Sequence, residues 1–234
     1  MQQTTFFPEY IEGIFIKELK NRFLCEVEIS GESVICYVPS SCHLSNFLKL
    51  EGKKVYLVRN ISKNTRTKYA LFAVSYKRSY IILNTSMANR AIEQGILGRR
   101  FSYIGKRKNV LKEYLIDKYK CDLYIPESDT IIEIKSVIST NKIAVFPTVY
   151  SERTLRQLDQ LNSFLGKQKN VCFMIVSLNP YVECIKLDCE TEFYKALQCC
   201  ISNGLILRAY ALRLSGTKLK IAKEIPILLD SELK

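Results

Sequence analysis

The spacing of hydrophobic and polar positions changes near residue 83 of the 234-residue chain. Before that point, short runs rich in Val, Ile, Phe and Tyr are separated by Gly31, Pro39, Gly52 and a polar segment. Five of these runs are "EGIFIKEL", "RFLCEVEI", "SVICYVP", "KKVYLVRN" and "YALFAVSYK", and "YIILNTS" is a candidate for one more. Short strands at this spacing are typical of a small antiparallel barrel or sandwich, and of the two we predict an OB-like β-barrel over residues 1–82.

Beyond residue 83 the pattern alternates between helices and strands. "NTSMANRAIEQGILG", "SERTLRQLDQLNSFLG" and "CETEFYKALQCCISNG" have helical character, with Ser151 and Asp188 near two of the starts. "VCFMIVSL" is the continuous apolar run of a strand buried on both faces, and "LILRAYALRL" and "KLKIAKEI" are closing strands. "VLKEYLIDKY" fits either helix or strand. We predict an α/β (α+β overall) chain, with a mixed sheet flanked by helices over residues 83–234.

Charged residues interrupt two apolar runs, "CDLYI" and "TIIEIKSV", which flank the turn "PESD". Because strand side chains alternate between faces, Glu133 and Lys135 should point the same way, together with Ile131 and Val137. If the two runs pair as a hairpin, Asp122 meets Glu133 on that face.

Two converging carboxylates offer the hard oxygen ligands that Mg²⁺ or Mn²⁺ prefers. Such an ion polarises a phosphodiester and lowers the pKa of a bound water, and Lys135 would stabilise the charge that builds on phosphorus. Glu113 is a candidate third carboxylate. We therefore predict Asp122 and Glu133 as metal ligands, and Glu113, Asp122, Glu133 and Lys135 as catalytic residues. The alternative is an ordinary ion pair on an exposed strand.

The positive charge is concentrated in one part of the chain. Residues 52–112 contain fifteen Lys and Arg and a single acid, Glu93, whereas the whole chain has a net charge of +12. Such a local field attracts a polyanion, which can be DNA, RNA or anionic lipid, and it favours nucleic acid as the partner, although a solubilising surface is the alternative. The basic residues predicted to bind it are Arg22, Lys63, Arg66, Lys68, Arg99, Arg100, Lys106, Arg107 and Lys108.

Further contacts to nucleic acid are predicted from aromatic and helical residues. Phe23 and Tyr69 are candidates for base stacking, with core packing as the alternative, favoured for Phe23. Arg153 and Arg156 either clamp a phosphate or pair with acids on their own helix.

Composition narrows the class of protein. No apolar run approaches the ~18 residues that span a bilayer, and the N-terminal residues lack the pattern of a signal peptide. The nine cysteines are odd in number and form no CxxC pair, and Cys184 and Cys189 lack the spacing of a zinc site. We predict a cytoplasmic protein with no membrane segment and no zinc, and leave a homodimer open.

Four motifs give the chain a family resemblance. They are "RFLCEV" at residues 22–27, "NTSMAN" at residues 84–89, "EIKSV" at residues 133–137, and a segment from "FP" at residue 146 through "SER" to "RQL" at residue 158. Together they resemble the sugar fermentation stimulation protein A family, which joins an OB-like domain to a PD-(D/E)xK nuclease-like domain. The resemblance covers residues 13–214.

The resemblance assigns roles position by position. It implies an upstream acid at Glu113 and the Glu-x-Lys pair at Glu133 and Lys135. The family's Arg-x-Asp motif matches residues 120–122, which adds Lys120 to the predicted DNA contacts. The resemblance also implies the Glu-Arg pair at Glu152 and Arg153 at the helix start, and the basic residue of that helix at Arg156. The chain departs from the family pattern at residues 39–42, at residues 116–117, at Thr148, and at Gln157, where the family has histidine.

Two functions follow from these observations. The first is a DNA-binding protein with a divalent-metal centre that hydrolyses phosphodiester bonds, hence an Mg- or Mn-dependent deoxyribonuclease, linked to the regulation of sugar metabolism. The second is a DNA-binding regulator in which the same residues form a vestigial, non-catalytic core. An RNA-processing or protein-interaction factor is a less supported third.

Overall fold

The first five strands form a closed barrel, and a sixth strand pairs with the fifth outside the ring. The computed structural model describes residues 10–40, 42–60, 65–216 and 218–229. These six strands are β1 (Ile11–Glu18), β2 (Leu24–Ile29), β3 (Glu32–Tyr37), β4 (Lys54–Arg59), β5 (Tyr69–Tyr76) and β6 (Ser79–Ile82). They are hydrogen-bonded in the order β3-β2-β1-β4-β5-β6, and a further pairing between β3 and β5 closes the sheet on itself. The predicted OB-like barrel is confirmed, and "YIILNTS" supplies β6.

Three helices and eleven strands make up the rest of the described chain. The helices are α1 (Met87–Gly95), α2 (Glu152–Gly166) and α3 (Glu192–Ser202). The strands are β7 (Leu111–Lys112), β8 (Leu115–Ile116), β9 (Tyr119–Lys120), β10 (Leu123–Ile125), β11 (Thr130–Val137), β12 (Ile143–Phe146), β13 (Asn170–Ser177), β14 (Cys184–Leu187), β15 (Ile206–Ser215), β16 (Lys218–Glu224) and β17 (Ile227–Leu229). None of the helices in these ranges is both long and apolar enough to cross a bilayer.

A six-stranded mixed sheet organises this half, in the order β16-β15-β13-β11-β10-β7. The three central strands, β11, β13 and β15, are parallel, while β10 returns antiparallel to β11 as the second strand of the predicted hairpin. Central parallel strands are buried on both faces, which is why their sequences are almost continuously apolar. The predicted mixed sheet flanked by helices is confirmed.

Each face of this sheet packs against a different layer. On one face, Ile132, Met174 and Tyr210 share a hydrophobic cluster with barrel residues such as Phe72 and Leu83. On the other face, a second cluster joins the sheet to α2 and α3, with Ile131, Phe173, Leu158, Leu161 and Leu197 among its members. The barrel and the sheet therefore share one core, and the division at residue 82 stays a prediction.

Helix starts follow local capping chemistry. Ser151 caps α2 as predicted, because its Oγ accepts a hydrogen bond from the backbone N–H of Thr154 at 3.3 Å. The cap of α3 is Thr191, whose Oγ1 accepts from the N–H of Tyr194 at 3.2 Å. Asp188 lies just before it and accepts from the hydroxyl of Thr191 through its backbone carbonyl.

Two segments were ambiguous or missed in the sequence. "VLKEYLIDKY" forms the short strands β7, β8 and β9, with Asp117 and Lys118 at positive φ in the tight turn between β8 and β9. A small parallel sheet of β12, β14 and β17 had no sequence signal, since each strand has only three or four residues.

Candidate active site

Strand β11 places a buried acid beside a lysine. Glu133 is 2% exposed, and the Nζ atom of Lys135 donates a hydrogen bond to its Oε1 at 2.7 Å. Their neighbours Ile131 and Val137 belong to the cluster on the α2 side of the sheet, so all four side chains share one face. The predicted alternation along this strand is confirmed.

Asp122 lies immediately before β10, one position beyond the Leu123–Ile132 pair of the hairpin. Its Oδ2 accepts the backbone N–H of Ile134 at 2.7 Å, and its Oδ1 accepts the side-chain amide of Asn89 at 2.7 Å. Burial, and then the negative charge of Glu133, raise the pKa of Asp122 from 3.8 to about 6. The two carboxylates are thus close enough to repel each other, as the hairpin predicts.

Two further side chains complete the hydrogen bonding of Glu133. Gln157 on α2 donates through Nε2 to Glu133 Oε1 at 2.9 Å and accepts from Lys135 Nζ through Oε1 at 2.6 Å. The hydroxyl of Tyr119 donates to Glu133 Oε2 at 2.6 Å. Burial, and then the negative charge of Glu133, raise the pKa of Tyr119 far above its usual value.

The acidic pair lines a cleft between the barrel and the sheet. The cleft has a volume of about 740 Å³ and is bounded by barrel residues, by the start of α1, by β11 and by the loop that leads into α2. Asp122, Glu133 and Lys135 lie along one wall, and the basic residues in the lining are Arg22, Lys120 and Arg153. An acidic centre bordered by cations suits a substrate that carries negative charge.

The fold agrees with the comparisons to known proteins. A model described as the sugar fermentation stimulation protein RE domain matches residues 86–218, and one described as the SfsA N-terminal OB domain matches residues 19–83. The chain belongs to the sugar fermentation stimulation protein family.

Relatives in this family match the chain over nearly its full length. A sugar fermentation stimulation protein homolog of Natranaerobius thermophilus is 28% identical over 98% of both chains. The homolog of Carboxydothermus hydrogenoformans is 28% identical over 94% of this chain and 97% of its own. The solved structure of Pyrococcus furiosus SfsA in complex with Ca²⁺ superimposes with a TM-score of 0.83 at 18% identity, covering 97% of this chain and 99% of that one.

Three of the site's partners were not among the residues predicted from this SfsA-family sequence. Gln157 was noted only as a departure from the family histidine, yet it contacts both Glu133 and Lys135. Asn89 belongs to the "NTSMAN" motif, and that motif is the signal that could have located it. Tyr119 lies three residues before Asp122, and nothing in its local pattern distinguishes it from a core tyrosine.

Glu113 is not brought to the acidic pair. Its side chain is 73% exposed and pairs with Lys120 across a distance of 2.6 Å, so that hydrogen bond is the main reason its pKa is lowered. Its backbone N–H donates to the carbonyl of Asp122, which keeps it on the adjacent strand. A catalytic role for Glu113 stays a prediction.

The other predicted DNA-binding residues lie outside the cleft lining. Arg107 donates to the carbonyls of Ile96 and Gly98 after α1, and Arg100 donates to that of Ile221 in β16, so both bind backbone carbonyls of the protein itself. Lys63 falls outside the described residues. The remaining predicted residues are exposed and do not line the cleft. They are Arg66, Lys68, Arg99, Lys106, Lys108 and Arg156. Neither Arg153 nor Arg156 pairs with a carboxylate within the described ranges.

The two predicted stacking residues differ in exposure. Phe23 is 38% exposed, lies 6.4 Å from the ring of Tyr37, and carries the guanidinium of Arg22 at 4.8 Å. Tyr69 is 8% exposed and belongs to the barrel core. The burial of Tyr69 contradicts base stacking there and fits the core-packing alternative. Phe23 is exposed and outside the hydrophobic core, so core packing is wrong for it and base stacking stays a prediction.

Proposed function

We propose that this protein binds DNA in the cleft and hydrolyses a phosphodiester bond at Asp122, Glu133 and Lys135, with Mg²⁺ or Mn²⁺ as cofactor. The observation that carries the proposal is that buried Glu133 and the half-buried Asp122 and Lys135 converge in the wall of a cleft that Arg22, Lys120 and Arg153 also line. Charges are costly to bury and are kept inside proteins when they are paired or used.

The residues at this site fit a divalent cation. Asp122 and Glu133 both line the cleft and present carboxylate oxygens, the ligands that Mg²⁺ and Mn²⁺ prefer. The repulsion that raises the pKa of Asp122 would be relieved by a positive ion. The Ca²⁺ complex of the Pyrococcus protein is consistent with a cation-binding fold. When bound, the metal polarises the phosphodiester and lowers the pKa of a water.

The chain's own side chains would bind and orient the substrate. Arg22, Lys120 and Arg153 supply cations for phosphate oxygens. Lysine has three N–H donors, and the Nζ of Lys135 uses two of them on Glu133 and Gln157, so the third can donate to a phosphate oxygen. The charge that develops on phosphorus is thereby stabilised by an ammonium already held in place.

A non-catalytic regulator is the second candidate, and a specific observation favours it. Each oxygen of Asp122 and Glu133 already accepts a hydrogen bond, and no three His, Cys, Asp or Glu residues form a metal-binding group within the described residues. In this version the network stabilises the fold, and the cleft binds DNA without cutting it. In both versions the protein acts on DNA in the cytoplasm, and the family name connects it with sugar metabolism.

A cleavage assay distinguishes the two candidates. Supercoiled, linear and single-stranded DNA are incubated with the protein and Mg²⁺ or Mn²⁺, alongside Glu133→Ala and Lys135→Ala. Glu190→Gln and Lys195→Gln, exposed positions away from the cleft, are the controls. We expect metal-dependent cleavage by the parent and both controls, and none by the two site variants. DNA binding by every protein with no cleavage would leave the regulator as the function.

A further inference from the structure

A second groove lies at the far end of the β15–β16 hairpin. It has a volume of about 370 Å³, and its basic lining residues are Arg213, Lys220 and Lys223. No carboxylate lines it within the described part of the chain, and none of the three cations forms an ion pair there. The nearby carboxylate of Glu183 is instead held by Lys142 at 3.0 Å.

Two of these cations oppose each other directly. Arg213 on β15 is the cross-strand partner of Lys220 on β16. Like charges at directly opposite positions of an antiparallel pair repel and destabilise the pairing. The protein keeps this repulsive pair at an exposed hairpin, where a neutral pair would carry no electrostatic penalty. A bound anion would reduce the repulsion between the two cations.

Strand register places the groove on the same face as the catalytic lysine. Lys135 is aligned with Ile175, which is aligned with Ala209, and Arg213 follows Ala209 by four residues on the same strand. An even spacing keeps a side chain on the same face of a sheet. With ~3.3 Å per residue and ~4.8 Å between strands, Arg213 lies about 13 Å along and about 10 Å across from Lys135.

The two sites lie at the ends of neighbouring strands, and the loops that follow those strands connect them. The cleft reaches Ile138 at the end of β11, and the groove includes Pro180 just after β13. The loops that follow these strands are joined, because the side-chain amide of Asn179 donates to the carbonyl of Ser139 at 2.7 Å. The sheet face itself is buried between the sites, at Val137, Ser177 and Ala211, so DNA that contacts both sites would have to cross over these loops.

We propose that the groove formed by Arg213, Lys220 and Lys223 is a second phosphate-binding site, which holds the DNA backbone where it leaves the cleft. The inference rests on the proposed function, since it takes DNA as its ligand. The separation of about 16 Å between the sites corresponds to about five base-pair steps of 3.4 Å. DNA long enough to reach both sites should therefore bind more tightly than DNA that fills the cleft alone.

The test is the salt dependence of DNA binding, measured by fluorescence anisotropy without divalent metal on a duplex of about 20 base pairs. Each phosphate contact contributes about 0.9 to the slope of log K against log salt concentration. We expect the full-length double variant Arg213→Gln/Lys220→Gln to lower that slope by about 2 and the affinity at low salt by about tenfold or more. Lys49→Gln/Lys195→Gln, which removes the same charge from exposed positions elsewhere, is the matched control.

The outcomes separate this inference from the proposed function. If the double variant and the control have the same slope, the groove is not a phosphate site, and the function proposed for the cleft is untouched. If the parent shows no salt-dependent binding of DNA, both proposals fail. If binding follows the expectation and no cleavage occurs with Mg²⁺ or Mn²⁺, only the catalytic part of the function fails. Lys220→Gln alone, expected to lower the slope by about 1, replaces the double variant if that variant unfolds.

Discussion

The side-chain carbonyl of Gln157 accepts a hydrogen bond from the ammonium of Lys135 at 2.6 Å. Gln157 stands where the family pattern has a histidine, and its amide reaches Glu133 as well. A residue that departs from the family thus belongs to the centre of the site. Its neutral amide bridges the two charged groups and holds Lys135 beside Glu133.

Replacing Gln157 by glutamate should strengthen cation binding. Gln157→Glu adds a third carboxylate of nearly the same shape next to Glu133, and affinity for hard cations rises with the number of charged ligands. We expect Mn²⁺ to bind about tenfold more tightly, measured by isothermal titration calorimetry. Asp159→Asn, on the exposed side of the same helix, is the control and should leave Mn²⁺ binding unchanged. Weaker Mn²⁺ binding by Gln157→Glu would place the ion away from Glu133.

Neutralising Asp122 should stabilise the metal-free protein at neutral pH. The pKa of Asp122 is raised from 3.8 to about 6, so the native state binds more protons than the unfolded state between these values. Stability therefore falls as pH rises from about 4 to about 6 and stays low above it. Asp122→Asn should raise the unfolding free energy by on the order of 2 kcal/mol at pH 7.5, measured by urea denaturation in EDTA.

The same comparison at pH 4 is the control for that prediction. There Asp122 is mostly protonated in the folded protein, so the gain from Asp122→Asn should largely vanish. A gain of equal size at both pH values would mean that the substitution acts through packing and not through charge.

Removing the hydroxyl of Tyr119 should cost stability. Tyr119→Phe leaves the ring in its contact with Phe164 but deprives Glu133 of a buried hydrogen bond at 2.6 Å. A hydrogen bond to a charged group contributes about 1.5 to 3 kcal/mol, and we expect a loss in that range by urea denaturation. Tyr124→Phe, which removes a more exposed hydrogen bond to Asp129, should cost less. Equal losses would show that burial of Glu133 does not strengthen its interactions.

Two arginines on α2 provide a matched test of the cleft. Arg153 lines it and Arg156, one helical turn later, does not. Arg153→Gln should lower the slope of DNA affinity against salt by about 1, while Arg156→Gln should leave it unchanged, both measured by fluorescence anisotropy. If Arg156→Gln has the larger effect, DNA crosses the outer face of α2 and not the cleft.

Local patterns predicted most of the fold. The Glu-x-Lys alternation in β11 and the serine cap of α2 depend on neighbouring residues, and the structure has both where the sequence places them. The sheet of β12, β14 and β17 depends on parallel pairing between distant short segments, which leaves no local periodicity to detect.

The site was predictable only in part, for a similar reason. Asp122, Glu133 and Lys135 lie within one hairpin, so alternation and pairing were enough to bring them together. Asn89, Tyr119 and Gln157 reach the same point from three other elements, and only the packed fold joins them. The exposure of Phe23 and the burial of Tyr69 likewise depend on how the barrel closes.

The hydrophobic cluster that joins the barrel to the sheet has a mechanical consequence. Phe72 and Leu83 pack in one cluster with Met174 and Tyr210, so opening a hinge between the two halves would expose this core to water. The cleft is therefore a groove of fixed width that does not open and close by a hinge motion of the two halves. If the proposed function holds, DNA would have to adapt its own shape to this groove, because the protein could not widen the groove around it.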